Sequence, residues 1–206
     1  PILPKRIAVV SSKEAAGYSD FTDELERNEY AYIYHTRLFK AVMQGTETER
    51  SVIKAINKIF EDDDEYDLIV IVRGGGSQSD LSWFDNYNIA YLITQIPLPV
   101  LTGIGHEKDL SVTDIVAHRS FKTPTAVAGF IINQSLKTEE KLFRLREGII
   151  SSARELAKTK RLMINRISVN MSPLVRSALQ EKRIQINRYG LRLSGSTRSY
   201  LSMYNA

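Results

Sequence analysis

Two rhythms of apolar and polar residues divide the chain. In the front half, short β-branched runs alternate with amphipathic stretches. Arg6–Ser11 (RIAVVS) and Leu68–Val72 (LIVIV) are almost unbroken apolar runs, as expected of strands covered on both faces. Tyr30–Tyr34 (YAYIY) reads as an aromatic strand, and Pro97–Leu101 leads into a further short strand that Gly103–Gly105 closes. Between these runs lie helix signals. The polar segment Ser19–Asn28 reads as a helix after a turn-like SKEAAG. Val52, Ile53, Ile56, Ile59 and Phe60 fall at helical spacing within Thr46–Phe60, and Asn88–Thr94 also reads as helical. The acidic run Glu61–Glu65 reads as a loop. Short apolar strands separated by helices predict an α/β fold, a doubly wound and mostly parallel sheet.

The back half follows a different period. From about Thr125 to Val169 there is no proline, and glycine occurs only at Gly129 and Gly148. Leu142, Ile149, Leu156 and Met163 fall seven residues apart, and so do Leu179, Ile186, Leu193 and Tyr200. Each stripe is narrow and flanked by Lys or Arg. Pro173 suits the first turn of a new helix. The expectation is a long helical hairpin with coiled-coil-like seams, reversing near Asn170–Ser172. Too much of its surface is charged for full burial. The predicted division is an α/β domain over 1–124 and a helical arm over 125–206.

Charge sharpens this division. The net charge of +4 hides 13 Lys and Arg against 19 Asp and Glu in residues 1–136, and 15 against 5 in residues 137–206. A basic tail half points to an acidic partner, nucleic acid or protein; the plainer reading is a solvated helix face. An apolar share of 43% suffices for a core. The absence of cysteine excludes disulfides and Cys-ligated metals. No apolar run approaches the roughly 20 residues needed to span a bilayer, and Pro1–Arg6 lacks a secretory pattern. These features lead to the expectation of a cytoplasmic protein with no membrane partner.

Two loops carry candidate chemistry. Both follow strong strand signals, so a parallel sheet would bring them to its carboxyl edge, where ligands bind. The first is Arg73-Gly74-Gly75-Gly76-Ser77. Successive glycines let backbone N–H groups converge, and with Arg73 they could hold a phosphate. The alternative is a turn beside a chance arginine. The pattern is neither GxGxxG nor a Walker sequence, which argues against a dinucleotide or nucleoside triphosphate. The second loop is Gly103–Asp109, with His106 three residues before Asp109. A histidine can move protons near neutral pH, and a neighbouring carboxylate can fix its tautomer; the plainer reading is a solvated loop histidine. His35 and His118 have weaker settings. His106, Glu107 and Asp109 could also ligate Mg²⁺ or Mn²⁺, but no repeated ligand spacing supports a required metal. Asp20 could reach the same edge, although nothing in the sequence separates it from Asp23 or Glu24. Trp83 and Phe84 could stack on bases, or cover the sheet edge as core.

Taken together, Arg73–Leu81 (RGGGSQSDL), Gly105–Asp109 (GHEKD) and Thr123–Ala128 (TPTAVA) resemble the exodeoxyribonuclease VII large-subunit family. RIAVVSSK at Arg6–Lys13 and Gln44-Gly45 extend the likeness across essentially the whole chain. The resemblance implies degradation of single-stranded DNA from both ends to oligonucleotides, without a divalent metal or other required cofactor. It implies a hetero-oligomer in which a small helical subunit binds along the arm. It also implies that Asp20, Arg73, His106 and Asp109 are catalytic. The sequence departs from the family in places. Glu14-Ala15-Ala16 stands where T-G-A is usual, Lys108 where Thr is usual and His118 where Asp is usual, and Trp83 is displaced by one position. The family's N-terminal OB-fold is not legible, so the expectation is a fragment with a shortened arm.

The resulting expectation is a phosphate held by Arg73 and the Gly74–Gly76 amides, with Ser77 beside them. His106 would act as general acid or base, oriented by Asp109, and Asp20 would be a second proton-transfer group or align Arg73. The rival reading is a non-catalytic assembly module that scaffolds a nucleic-acid-processing complex through its arm. A third reading, a Rossmann-type cofactor enzyme, lacks its fingerprint after the first strand.

Overall fold

A computed structural model of the chain describes residues 3–62, 65–74, 78–105 and 110–204. These fall into two compact units, Pro1–Phe143 and Arg144–Ala206.

The first unit is built on a five-stranded sheet: β1 Arg6–Ser11, β2 His35–Lys40, β3 Leu68–Val72, β4 Val100–Gly103 and β5 Arg119–Ser120. Every pairing is parallel and the spatial order is β2-β1-β3-β4-β5. Alternation along each strand decides which face a side chain covers. Ala8, Val10, Ile69, Ile71 and Val100 point into one core with Val52, Ile56 and Ile59 of helix α2 (Thr48–Phe60) and Ile89 and Ile93 of α3 (Tyr87–Gln95). Ile7, Val9, Leu68, Val70, Val72 and Leu101 point into the other. There they meet Phe21 and Leu25 of α1 (Ala16–Glu26) and Val127, Ala128, Ile131 and Ile132 at the start of α5 (Pro124–Tyr204). Both faces of the sheet are therefore covered, which is why β1 and β3 read as unbroken apolar runs.

Two smaller elements close the edge. A 3-10 helix, Gln78–Phe84, follows β3, and α4, Val112–Val116, leads into β5. Neither shows a strong hydrophobic period, and neither is anticipated in the sequence. Phe84 is fully buried in the α2–α3 core, whereas Trp83 is exposed. The core reading of this pair thus holds for Phe84.

The aromatic run Tyr30–Tyr34 is not a strand. The strand begins at His35, just after it. Ala31 takes a positive φ of 55°, which breaks an extended run. The Asn28 side chain meanwhile occupies local backbone groups, accepting from the Tyr32 N–H at 2.9 Å and donating to the Tyr32 carbonyl at 2.8 Å. The aromatic rings are used elsewhere. The Tyr34 hydroxyl donates to Ser135 Oγ at 2.9 Å, and the Tyr32 hydroxyl donates to Glu139 Oε2. Both acceptors lie on α5.

Helix α5 starts where the sequence places it. Pro124 occupies the first position, where no N–H is needed. Thr123 Oγ1 accepts from the Ala126 N–H at 3.1 Å.

The second unit, Arg144–Ala206, contains the continuation of α5. The reversal expected at Asn170–Ser172 is absent: the helix continues through Pro173. An interior proline removes one backbone hydrogen bond and costs about 3 kcal/mol. The residues around it, Asn165 to Gln180, include no glycine to end the helix. Ile149, Leu156, Met163, Leu179, Ile186 and Leu193 are all exposed along it. No helix among the described residues is long and apolar enough to cross a membrane.

Candidate active site

The strand order creates the site. Between β1 and β3 the chain's progression across the sheet reverses, so the loop after β1 and the loop after β3 leave toward opposite faces and a cleft opens between them. A cleft of about 510 Å³ lies there, lined by Ser12, Glu14, Ala15, Ala16, Ala41, Val42, Met43, Gln44, Arg73 and Gly74. Ser11 Oγ donates to the Val72 carbonyl at 2.7 Å, and the Ala41 N–H donates to the Ser11 carbonyl at 3.0 Å. The ends of β1, β2 and β3 are thereby fixed to one another beneath the cleft.

Arg73 is the first residue past β3 and is only 5% exposed. It lines the cleft, and a guanidinium fork can grip a phosphate through paired N–H groups. Helix α1 begins on the opposite wall. Its N-cap, Ala15, supplies no side-chain acceptor. The first backbone N–H groups of such a helix carry a partial positive charge. Gly74 brings the two walls together. A Cβ added to it would lie 3.1 Å from the Ala16 nitrogen and 3.2 Å from the Gly17 nitrogen. Gly17 is tighter still: a Cβ there would meet the Arg73 carbonyl oxygen at 2.2 Å. Only glycine permits this approach of α1 to β3.

The sequence-derived candidates separate into three groups. Arg73 and Gly74 line the cleft. Asp20 lies on α1 one turn beyond Gly17, is exposed, and is not among the lining residues. Gly75, Gly76, Ser77, His106, Glu107 and Asp109 lie outside the described residues. What is described is the frame of the second loop. Strand β4 pairs with β3, and the Arg73 N–H approaches the Gly103 carbonyl at 3.4 Å. The connection 104–110 thus leaves the same sheet edge next to Arg73. Gly103 also seats the start of α5, since a Cβ on it would meet Val127 Cγ2 at 2.7 Å.

Some lining residues escape sequence reasoning. Ser12, Glu14 and the α1 amides join Arg73 only because β1 and β3 are neighbours, and adjacency is a property of topology. Gln44 and Met43 arrive from the far side of β1 for the same reason. Asp85 and Asp114, which hold the segments after β3 and β4, were also unassigned. For Asp114 a local signal existed, the capping pattern Ser111-Val112-Thr113-Asp114.

The family model described as "Exonuclease VII, large subunit" matches residues 1–206. The chain is 38% identical over 131 residues to the exodeoxyribonuclease 7 large subunit of Lacticaseibacillus casei, covering 64% of this chain and 28% of that protein. It is 33% identical over 168 residues to that of Lactobacillus acidophilus, covering 81% and 36%. With the Thermotoga sp. protein of the same name it shares 34% identity over 155 residues, covering 74% and 38%. The aligned part thus spans about a third of the length of these relatives.

Proposed function

The chain belongs to the exonuclease VII large-subunit family, and on that premise we propose that it forms the part of a hydrolase that cleaves phosphodiester bonds in single-stranded DNA, from both ends and down to oligonucleotides, without a required metal. The observation that carries this reading is the buried Arg73 beside Gly74 at the β1–β3 cleft.

Metal-free hydrolysis needs charge on the phosphate neutralised, a water activated, and a proton delivered to the leaving oxygen. Arg73 and the amides of Gly74, Gly75 and Gly76 hold the scissile phosphate, with Ser77 beside them and the amino end of α1 opposite. Positive charge is present before the substrate arrives, so little reorganisation accompanies the reaction. His106 moves the proton and Asp109 orients its ring. As water adds to phosphorus and the P–O bond to the departing nucleotide breaks, one proton leaves the water and one reaches the leaving oxygen. Asp20 serves as the second proton-transfer group or aligns Arg73. A small subunit docks on the exposed apolar stripe of the arm.

The test is hydrolysis of end-labelled single-stranded DNA in EDTA by the full-length protein with its small subunit. Activity in EDTA that falls about 10²–10⁴-fold in His106→Ala supports the reading. Activity that requires added Mg²⁺ overturns the metal-free mechanism and makes His106, Glu107 and Asp109 candidate ligands.

A further inference from the structure

Asp114 is 4% exposed, and three donors converge on its carboxylate. Thr102 Oγ1 donates to Oδ1 at 2.6 Å, and Ser111 Oγ and the Ser111 N–H donate to Oδ2 at 2.8 and 3.2 Å. The Asp114 N–H in turn donates to Ser111 Oγ at 3.1 Å, completing a reciprocal cap on α4. Thr102 and Ser111 are themselves buried. A helix cap needs only the contacts with Ser111. The contact with Thr102 is different, because Thr102 belongs to β4, on the other side of the connection 104–110. One carboxylate therefore holds the strand that this connection leaves and the helix that it enters. Gly105 also lies close to it: a Cβ added there would be 3.5 Å from Asp114 Oδ2.

The same turn of α4 is tied to the segment after β3. Thr113 Oγ1 donates to the Phe84 carbonyl at 2.6 Å, and the Val112 N–H donates to Asp85 Oδ1 at 2.8 Å. Phe84 ends the 3-10 helix that follows Arg73 and the glycines. Residues 111–114 thus bind the flanks of both loops to one rigid turn.

We infer that Asp114 is a positioning residue for the hydrolysis proposed above, acting through the connection 104–110, in which the sequence places His106 and Asp109. The inference rests on that reading of the loop. A carboxylate suits the task because it accepts from both sides at once. Valine at position 102 keeps the shape and removes the donor, while serine restores the hydroxyl. A displacement of about 1 Å in a reacting group can cost roughly 10²-fold in rate.

The experiment compares Thr102→Val, Thr102→Ser and Asp114→Asn in the full-length protein with its small subunit. Two readouts are taken well below the melting temperature: steady-state hydrolysis of single-stranded DNA, and amide hydrogen exchange of the peptide covering 103–111. The expected result is a kcat lowered by about 10²-fold in Thr102→Val with KM within twofold of the parent, faster exchange in 103–111 but not in β1 or β3, and recovery of both in Thr102→Ser. Asp114→Asn should follow Thr102→Val. The inference is overturned if Thr102→Val keeps parental kcat and exchange. It is also overturned if exchange rises throughout the sheet, which marks a purely structural role. If the parent itself does not cleave single-stranded DNA, the nuclease reading fails, while the exchange readout still decides whether Asp114 anchors the connection.

Discussion

At Gly17 a single methyl group decides how α1 meets β3. The alanine Cβ would need the space occupied by the Arg73 carbonyl, 2.2 Å away, and backbone cannot swing aside as a side chain can. Gly17→Ala is expected to destabilise the α/β unit by about 1–3 kcal/mol, as overpacking does, and to lower hydrolysis by displacing Arg73. Chemical denaturation and the single-stranded DNA assay check the two effects together. Arg73 makes a complementary prediction. Arg73→Lys keeps the charge but loses the planar fork that grips two phosphate oxygens. The expected loss is about 10²-fold in kcat/KM, of the order found when one preorganised donor is removed. Parental activity in this variant shows that charge alone suffices at position 73. At this scale the sequence was partly legible. Arg73 stood out because glycines followed it, but Gly17 did not, since its constraint comes from a strand more than fifty positions away. For Asp114 only the cap with Ser111 had a local signal; its contact with Thr102 lies across a loop.

Among the elements, those with strong local signals appear where the sequence placed them. RIAVVS and LIVIV are strands because both faces of the sheet are covered, and α2 follows its apolar spacing. The errors come from tertiary competition. YAYIY has strand-like composition, yet its tyrosine hydroxyls reach α5 and its backbone is held by Asn28. This contact gives a pH prediction. The hydrogen bond from the Tyr32 hydroxyl to Glu139 pushes its pKa up from 10.0 to about 12. The folded state therefore holds this proton where the unfolded chain has begun to lose it. Stability from the contact is fully present below pH 10 and is lost as pH rises toward 12. Thermal melts between pH 9 and 12 should show a smaller alkaline decline in Tyr32→Phe than in the parent. An equal decline removes Tyr32 as a source. Helix α3 offers a second test, at its amino-terminal cap. The Asn86 side chain accepts from the N–H groups of Asn88 and Ile89 and donates to Glu49 Oε2 at 2.8 Å. Asn86→Ala is expected to cost about 1 kcal/mol, the usual value of such a cap, measured by denaturant midpoint.

The whole chain combines an acidic front with a basic arm, and the arm poses a question that charge and periodicity answer differently. Residues 137–206 hold 15 Lys and Arg against 5 Asp and Glu, which is the footprint of a nucleic-acid surface. The same segment carries two runs of exposed apolar side chains spaced by seven, Ile149, Leu156 and Met163 and then Leu179, Ile186 and Leu193, which is the footprint of a helix awaiting other helices. The heptads were legible in the sequence. The reversal expected near Asn170–Ser172 is absent, because a proline weakens a helix without ending it when its neighbours still favour helix. The two footprints differ in their response to salt. A protein making 6–10 phosphate contacts loses about 10³–10⁵-fold in affinity between 50 and 200 mM salt, whereas association through buried apolar surface changes little. If the arm docks the small subunit through its stripe, their association should hold across that range and collapse in Ile149→Asp and Leu156→Asp. Binding of single-stranded DNA should be unaffected by the same two substitutions. Sedimentation of the full-length protein with its small subunit at both salt concentrations, with and without these substitutions, makes the comparison. An association that vanishes at 200 mM salt but survives both aspartates assigns the contact to the Lys and Arg flanks and overturns docking through the seam.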